Sequence, residues 1–443
     1  MLRSRLRAAR WAMRRRRISR LDPRVAWLSP LPPASTGVAT YAEAILEGLD
    51  EIGYPRPIDR LWPVRPRDGA VLPWYGVAVY HLGNNVEFHR DIYRQAIQTP
   101  GLIVIHDLAL DDFVHGLSSV GDPDALAAIR EGVTNEEPIR SADLRVDEPL
   151  RVPLVAHVAR RARGIVAHSP FVERYLRAFG CRTPVFVVPH PPVETPEALR
   201  RAAARRNSLR RSLEASGMRF LVGVFGDLNA AKQIDVVLEA VRRLPDDIRV
   251  VVVGRRIEGF DAAAVVRASG LGSRVGLHTD VADDDFLGWM YAADVGVDLR
   301  FPHRGEVSGS LSRAMQTGLP TIVSATGTYL DIPDGMVTRV SPGRPDPAEL
   351  QRAIAGLLDD ADGRAEIGHR TRAHAEHLAS TNASARGYAD AIDDTLALLD
   401  DPSRRVLARW AGALADVGVT QERLAHGYGA SYARALEELS TPR

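Results

Sequence analysis

From Arg24 onward, short runs of β-branched and other apolar residues alternate with stretches whose apolar positions recur at helical spacing, the pattern of parallel sheets covered by helices. The runs 25–28, 77–81, 102–106, 164–167 and 185–188 are predicted as strands of a first unit. A proline-rich passage, Pro189, Pro191, Pro192 and Pro196, then breaks the rhythm and marks a linker. A second series follows, with strands predicted at 220–225, 249–253, 274–277, 295–299 and 321–324. Two successive doubly wound units imply an α/β protein with two Rossmann-like domains facing each other across a cleft, at 23–192 and 193–400. Beyond Pro347 the pattern is almost wholly helical, and the helices of 401–443 are expected to pack back across the cleft.

A hydrophobic fraction of 45% in 443 residues supplies two cores. No apolar run reaches the length of a membrane span. The lone cysteine, Cys181, rules out an intrachain disulfide and points to a reducing, cytoplasmic setting. The net charge of +1 conceals a basic arm at 1–22, in which nine arginines precede the first acid, Asp22. The arm reads first as a solvated tail, and second as a peripheral contact with anionic membrane through its interspersed Leu, Trp and Met side chains. No apolar stretch follows it to make a secretory signal. Nucleic acid is not expected, because no binding motif accompanies the arm and the remaining chain is net acidic.

No strand is followed by G-x-G-x-x-G, which removes the usual phosphate cradle of a nicotinamide-dependent dehydrogenase. Chemistry concentrates instead in RFPHRGEVSGSLSRAMQTGLP, residues 300–320, where a strand gives way to a helix on the carboxyl edge of the second sheet. Ser308, Gly309 and Ser310 would present free backbone N–H groups at that helix start, where the dipole favours phosphate; the plainer reading is an ordinary cap. Glu306 precedes the nest, and a carboxylate there suits a hydroxyl-rich partner such as a sugar better than phosphate. VGVFGDLNAAKQIDVVLEAV repeats the strand-turn-helix geometry, with Gly226 in the turn and Lys232 at the helix start, a movable point charge for a diphosphate or else solvated surface. In the first unit, Gly37 allows close approach of backbone to ligand. His106 and Asp107 end a buried strand on the cleft edge. His81, Gly83, Asn84, Asn85 and His89 cluster at another strand end, where they either line an acceptor pocket or satisfy turn backbone.

Together the Gly37 loop, the His106-Asp107 pair, FGDLNAAKQID and GEVSGSLSRAM with its following GLPTIVS resemble the family-4 retaining glycosyltransferases, from about Val25 to Ala397. The similarity is strongest to a bacterial subset with a G-E-x-S-G-S-L-x-R-A signature. The resemblance implies a GT-B fold and retaining, metal-independent transfer by front-side attack, with no cofactor. It implies a nucleotide-sugar donor held by the second domain, and a carbohydrate, lipid-linked or small-molecule acceptor bound by the first, where the polar cluster offers Asn84 and Asn85 as acceptor-binding candidates. It assigns Glu306 and His106 to the transferred sugar and Lys232 to the diphosphate. Two departures stand out. Arg313 occupies the place of the family's second Glu, and residues 226–229 supply no cation before Lys232. Arg313, one turn into the phosphate-binding helix, is expected to replace part of that charge. A GT-B epimerase or phosphorylase, or a non-catalytic sugar-binding or membrane-surface protein, would share these loops.

Overall fold

The computed structural model describes residues 24–65, 68–69, 71–72, 75–134, 150, 154–192, 194–214, 217–380 and 382–400; the basic arm and the predicted helices of 401–443 lie outside them. The first domain is a six-stranded parallel sheet in the order β2-β1-β3-β4-β5-β6. Its strands are β1 (Val25–Leu28), β2 (Ile58–Arg60), β3 (Val77–Leu82), β4 (Leu102–Ile105), β5 (Gly164–Ala167) and β6 (Val185–Val187). The second sheet, also parallel, runs β12-β11-β10-β7-β8-β9. It contains β7 (Phe220–Phe225), β8 (Ile248–Gly254), β9 (Val275–Thr279), β10 (Val295–Asp298), β11 (Thr321–Ser324) and β12 (Thr338–Val340).

Helices cover both faces of each sheet, so the central strands are apolar throughout: VAWL in β1 and LIVI in β4 are buried at every position. β2 and β12 escape the sequence pattern because each is a three-residue edge strand with only part of its surface covered. Register runs Val25 opposite Val77 in the first sheet and Phe220 opposite Ile248 in the second.

Strand order reverses between β1 and β3 in one sheet and between β7 and β10 in the other, and the crevice at such a point is where open α/β sheets hold ligands. The segments singled out in the sequence emerge there. Helix α1 (Gly37–Glu51) follows β1, and α2 (Val86–Gln98) follows β3. Helix α3 (Pro170–Ala178) follows β5, α4 (Ile234–Arg242) follows β7, and α5 (Gly309–Thr317) follows β10. A last helix, α6 (Ala383–Asp400), brings Tyr388 against Trp27 and Tyr41 of the first domain, and the Tyr41 hydroxyl donates to that of Tyr388 at 3.0 Å.

Candidate functional site

The turn after β7 brings Gly226 to φ +107, a conformation that disfavours any side chain. A Cβ there would also lie 3.0 Å from Ser310 Oγ and 3.2 Å from Lys232 Nζ, so the missing side chain is what lets this turn touch α5. Lys232 closes a single 3-10 turn, Ala230–Lys232, and Gln233 at φ +48 separates it from α4. Its ammonium does not extend into solvent. Only 2% of the residue is exposed, and Nζ donates to Asp298 Oδ1 at 2.5 Å and to Ser310 Oγ at 3.0 Å. The two segments judged separately to attract phosphate are therefore in direct contact.

Ser308 caps α5 by accepting from the Leu311 N–H at 3.2 Å, and its hydroxyl donates to Asp298 Oδ2 at 2.6 Å. Asp298, the last residue of β10, also accepts from the Tyr329 hydroxyl at 3.0 Å. Burial pushes its carboxyl up, but Lys232 and Arg300 outweigh burial and bring it down to about 2. Burial lowers the pKa of Lys232, and the Asp298 carboxylate opposes that. Sequence reasoning missed Arg300, a largely buried cation. Its Nη2 lies 3.3 Å from Ser308 Oγ and its Nε lies 3.4 Å from Glu306 Oε1. Glu306 also accepts from the Arg304 N–H at 2.8 Å; burial raises its carboxyl, and His303 with Arg300 brings it below the ordinary value.

Across the cleft, Gly37 opens α1, and a Cβ at that position would meet nothing within 4 Å. The protein itself does not need glycine there, which leaves room for a ligand. His106 Nε2 shares a hydrogen bond of 3.0 Å with His81 Nδ1, so only its Nδ1 edge remains for a substrate. His168 and His190, just beyond β5 and β6, join them around Tyr41, whose ring centroid lies 4.9 Å from each of His106, His168 and His190. All four imidazoles are held well toward the neutral form, chiefly by burial, with His168 at about 3 and His190 at about 4. Among the described residues, no group of His, Cys, Asp and Glu is arranged to hold a metal ion.

Asn84 and Asn85 are committed locally. The Asn84 side chain donates to the Ala109 carbonyl and accepts from the Phe113 N–H, both at 2.9 Å, while Asn85 caps α2. The Asn84 N–H donates to Asp107 Oδ2 at 2.8 Å. Asp107 is pushed up to about 7 by burial and by Glu306 opposite, against the pull of that N–H. Arg313, expected to face the phosphate, instead pairs with Glu194 at 2.6 Å.

The domains meet through backbone and side chains alike. The N–H groups of Leu108 and Ala109 both donate to the Arg304 carbonyl at 2.9 Å, and the Arg304 guanidinium grips Asp111. Gly305, at φ +78, makes this possible, since a Cβ there would sit 2.4 Å from Leu108 Cβ. Asp331 accepts from the Phe171 N–H and from Arg174 at 2.7 Å, and Arg255 reaches the Ser35 carbonyl at 3.1 Å. A cavity of about 290 Å³ lies between the lobes on the linker side, lined in part by His168, His190, Leu311, Tyr329 and His374. Ser308 is common to this cavity and to the Lys232 cluster.

Two parallel six-stranded Rossmann-like sheets with facing carboxyl edges define the GT-B architecture of glycosyltransferases. Within it, residues 219–360 match the family model described as "Glycosyl transferases group 1". The chain is 27% identical over 188 residues to the D-inositol 3-phosphate glycosyltransferase of Xylanimonas cellulosilytica, a match covering 41% of this chain and 44% of that protein. It thus spans less than half the length of this relative. Among solved structures, it is similar to HepE from Anabaena in complex with UDP-glucose, at 16% identity and a TM-score of 0.56 over 85% of this chain and 99% of that one. It is also similar to the sucrose-phosphate synthase of Thermosynechococcus elongatus, at 18% identity and a TM-score of 0.55 over 87% and 100%. Among the described residues, no helix is long and apolar enough to cross a membrane.

Proposed function

We propose that this chain is a glycosyltransferase that moves a sugar from a nucleoside diphosphate to an acceptor hydroxyl, with retention at the anomeric carbon. One observation carries the reading: Lys232 and the start of α5 touch at the switch point of the second sheet, within a lobe whose segment 304–306 is bonded to the first lobe beside His106. The N–H groups of Gly309 and Ser310, the helix dipole and the Lys232 ammonium are the donors that a departing pyrophosphate requires. Glu306 and His106 accept from hydroxyls of the sugar. In the reaction, the bond between the anomeric carbon and the phosphate oxygen breaks with its electron pair going to phosphate. The acceptor oxygen bonds to the carbon from the same face, and its proton passes to the departing phosphate. Gly37 and Gly226 line the path of the donor, and Arg313 lends a charge that Glu194 partly offsets.

The UDP-glucose complex of HepE makes a uridine diphosphate sugar the first donor to try. A thermal-shift series with UDP-, GDP- and dTDP-sugars tests the reading, since a ligand of the native state raises apparent stability. A donor that stabilises the protein should then give a glycoside whose anomeric configuration, read by NMR, matches the donor's. Inversion would end the retaining assignment. No stabilisation by any nucleotide-sugar would end the donor assignment, and free nucleotide with an epimerised sugar in the absence of acceptor would favour an epimerase.

A further inference from the structure

The chain contains one lysine, Lys232, among its 57 lysine and arginine residues. All the others are arginine, so position 232 alone carries what a guanidinium lacks: a compact ammonium with three freely rotating donors. Yet this ammonium is covered and its charge is matched. Asp298 lies at 2.5 Å, and the surrounding cluster contains two cations, Lys232 and Arg300, against two carboxylates, Asp298 and Glu306. With its side-chain charges matched, the cluster adds little net attraction for a pyrophosphate beyond that of the N–H groups and dipole of α5.

Asp298 Oδ1 and Ser310 Oγ hold two of the three Nζ donors, and with 2% of the residue exposed a phosphate approaching the ammonium has to compete with them. Asp298 is the one equipped to let go. Its other oxygen keeps the hydroxyls of Ser308 and Tyr329, at 2.6 and 3.0 Å, and Arg300 stays 4.0 Å away as a second cation. Carboxylate and phosphate also offer the ammonium the same chemistry, anionic oxygen at hydrogen-bond distance.

We propose that Asp298 is a resident counter-ion in the phosphate cradle, and that the pyrophosphate of the donor displaces it from Lys232, so that Asp298 limits how tightly the donor and the nucleoside diphosphate product are held. The proposal rests on the donor assignment above. The function of such a residue is release: an ammonium left uncompensated in a closed cleft would retain the diphosphate product, whereas a neighbouring carboxylate competes for it.

Asp298→Asn keeps the size of the side chain and an oxygen for Ser308 and Tyr329 while removing the charge. It should bind UDP and inorganic pyrophosphate about tenfold more tightly than the natural protein by calorimetry, with the affinity for uridine unchanged. Equal or weaker UDP binding by the variant would overturn the proposal and leave the donor assignment standing. If the natural protein binds none of UDP, GDP and dTDP, both fall. A second measurement does not depend on the variant folding. Lysine labelled with ¹⁵N at Nζ gives a single side-chain signal in this protein, and that signal should shift on addition of pyrophosphate or UDP and stay still with uridine. A signal that is unmoved while UDP is bound would show Lys232 still paired with Asp298, and the displacement would be refuted.

Discussion

The two carboxyl edges that face each other across the cleft use opposite electrostatic solutions. On the first sheet, His81 is the penultimate residue of β3, His106 and His168 directly follow β4 and β5, His190 lies three residues beyond β6, and burial holds all four imidazoles toward the neutral form. On the second, charges are retained and matched, Lys232 with Asp298 and Arg300 with Glu306. A neutral edge can offer hydrogen bonds to hydroxyls with little cost in desolvation, whereas a matched ionic edge stores charge that an incoming anion can redistribute. The difference teaches that the two edges are electrostatically distinct before any ligand arrives, which suits the proposed placement of the pyrophosphate on the second.

The largest test of that contrast is Lys232→Ala. Turnover should fall about a hundredfold or more, the usual cost of losing a preorganised donor at a departing charge. Denaturant unfolding should also show a loss of about 3–5 kcal/mol, because Asp298 is left buried without its partner. Lys232→Ala/Asp298→Asn should recover much of that stability and none of the turnover; a single variant as stable as the natural protein would mean that the ionic edge is not matched at all.

The neutral edge predicts an acid weakness. His89 and His190 titrate near 4 and His168 near 3 in the folded protein, against about 6.5 when unfolded. Below pH 6.5 the unfolded chain therefore binds more protons, and stability is lost as pH falls from about 6.5 toward 4. Asp107 contributes in the opposite sense, losing stability as pH rises from about 4 to 7, but it is one group against several. Thermal melts should show the midpoint dropping through that acid window, and a flat profile would show that the imidazoles are not held neutral.

A smaller effect is expected where the edges meet. Asp107, at about 7 and opposite Glu306, should give the rate profile a limb near neutrality that Asp107→Asn removes, with a several-fold change in turnover on one side of it. The smallest belongs to Arg313→Ala, expected to weaken UDP binding by no more than about threefold because Glu194 already offsets the guanidinium. No change at all would remove Arg313 from the donor site.

Much of this was legible in the sequence, and the omissions have physical reasons. Long apolar runs bounded by glycine or charge announced the central strands, and the glycine, serine and lysine after two of them marked the two turns that the fold brings into contact. Asp298 and Arg300 went unseen because a charge closing an apolar run looks like solvent exposure until its partner is known, and Lys232 lies 66 residues earlier. His168 and His190 were hidden for a related reason: histidines at the ends of four neighbouring strands form a pattern only when the strands are laid side by side. Asn84 and Asn85 looked like ligand-binding amides, yet helix capping and loop hydrogen bonds occupy them.

Arg304 faces two ways through the two peptide units that flank its Cα. Its N–H steadies the Glu306 carboxylate, and its carbonyl is held by two amides of the opposite lobe. If the lobes part, that carbonyl loses both partners, and the 303–306 turn that carries the N–H on Glu306 loses its anchor to the opposite lobe. For the proposed transfer, such a linkage would act as an interlock, holding Glu306 in place only while the two lobes are joined.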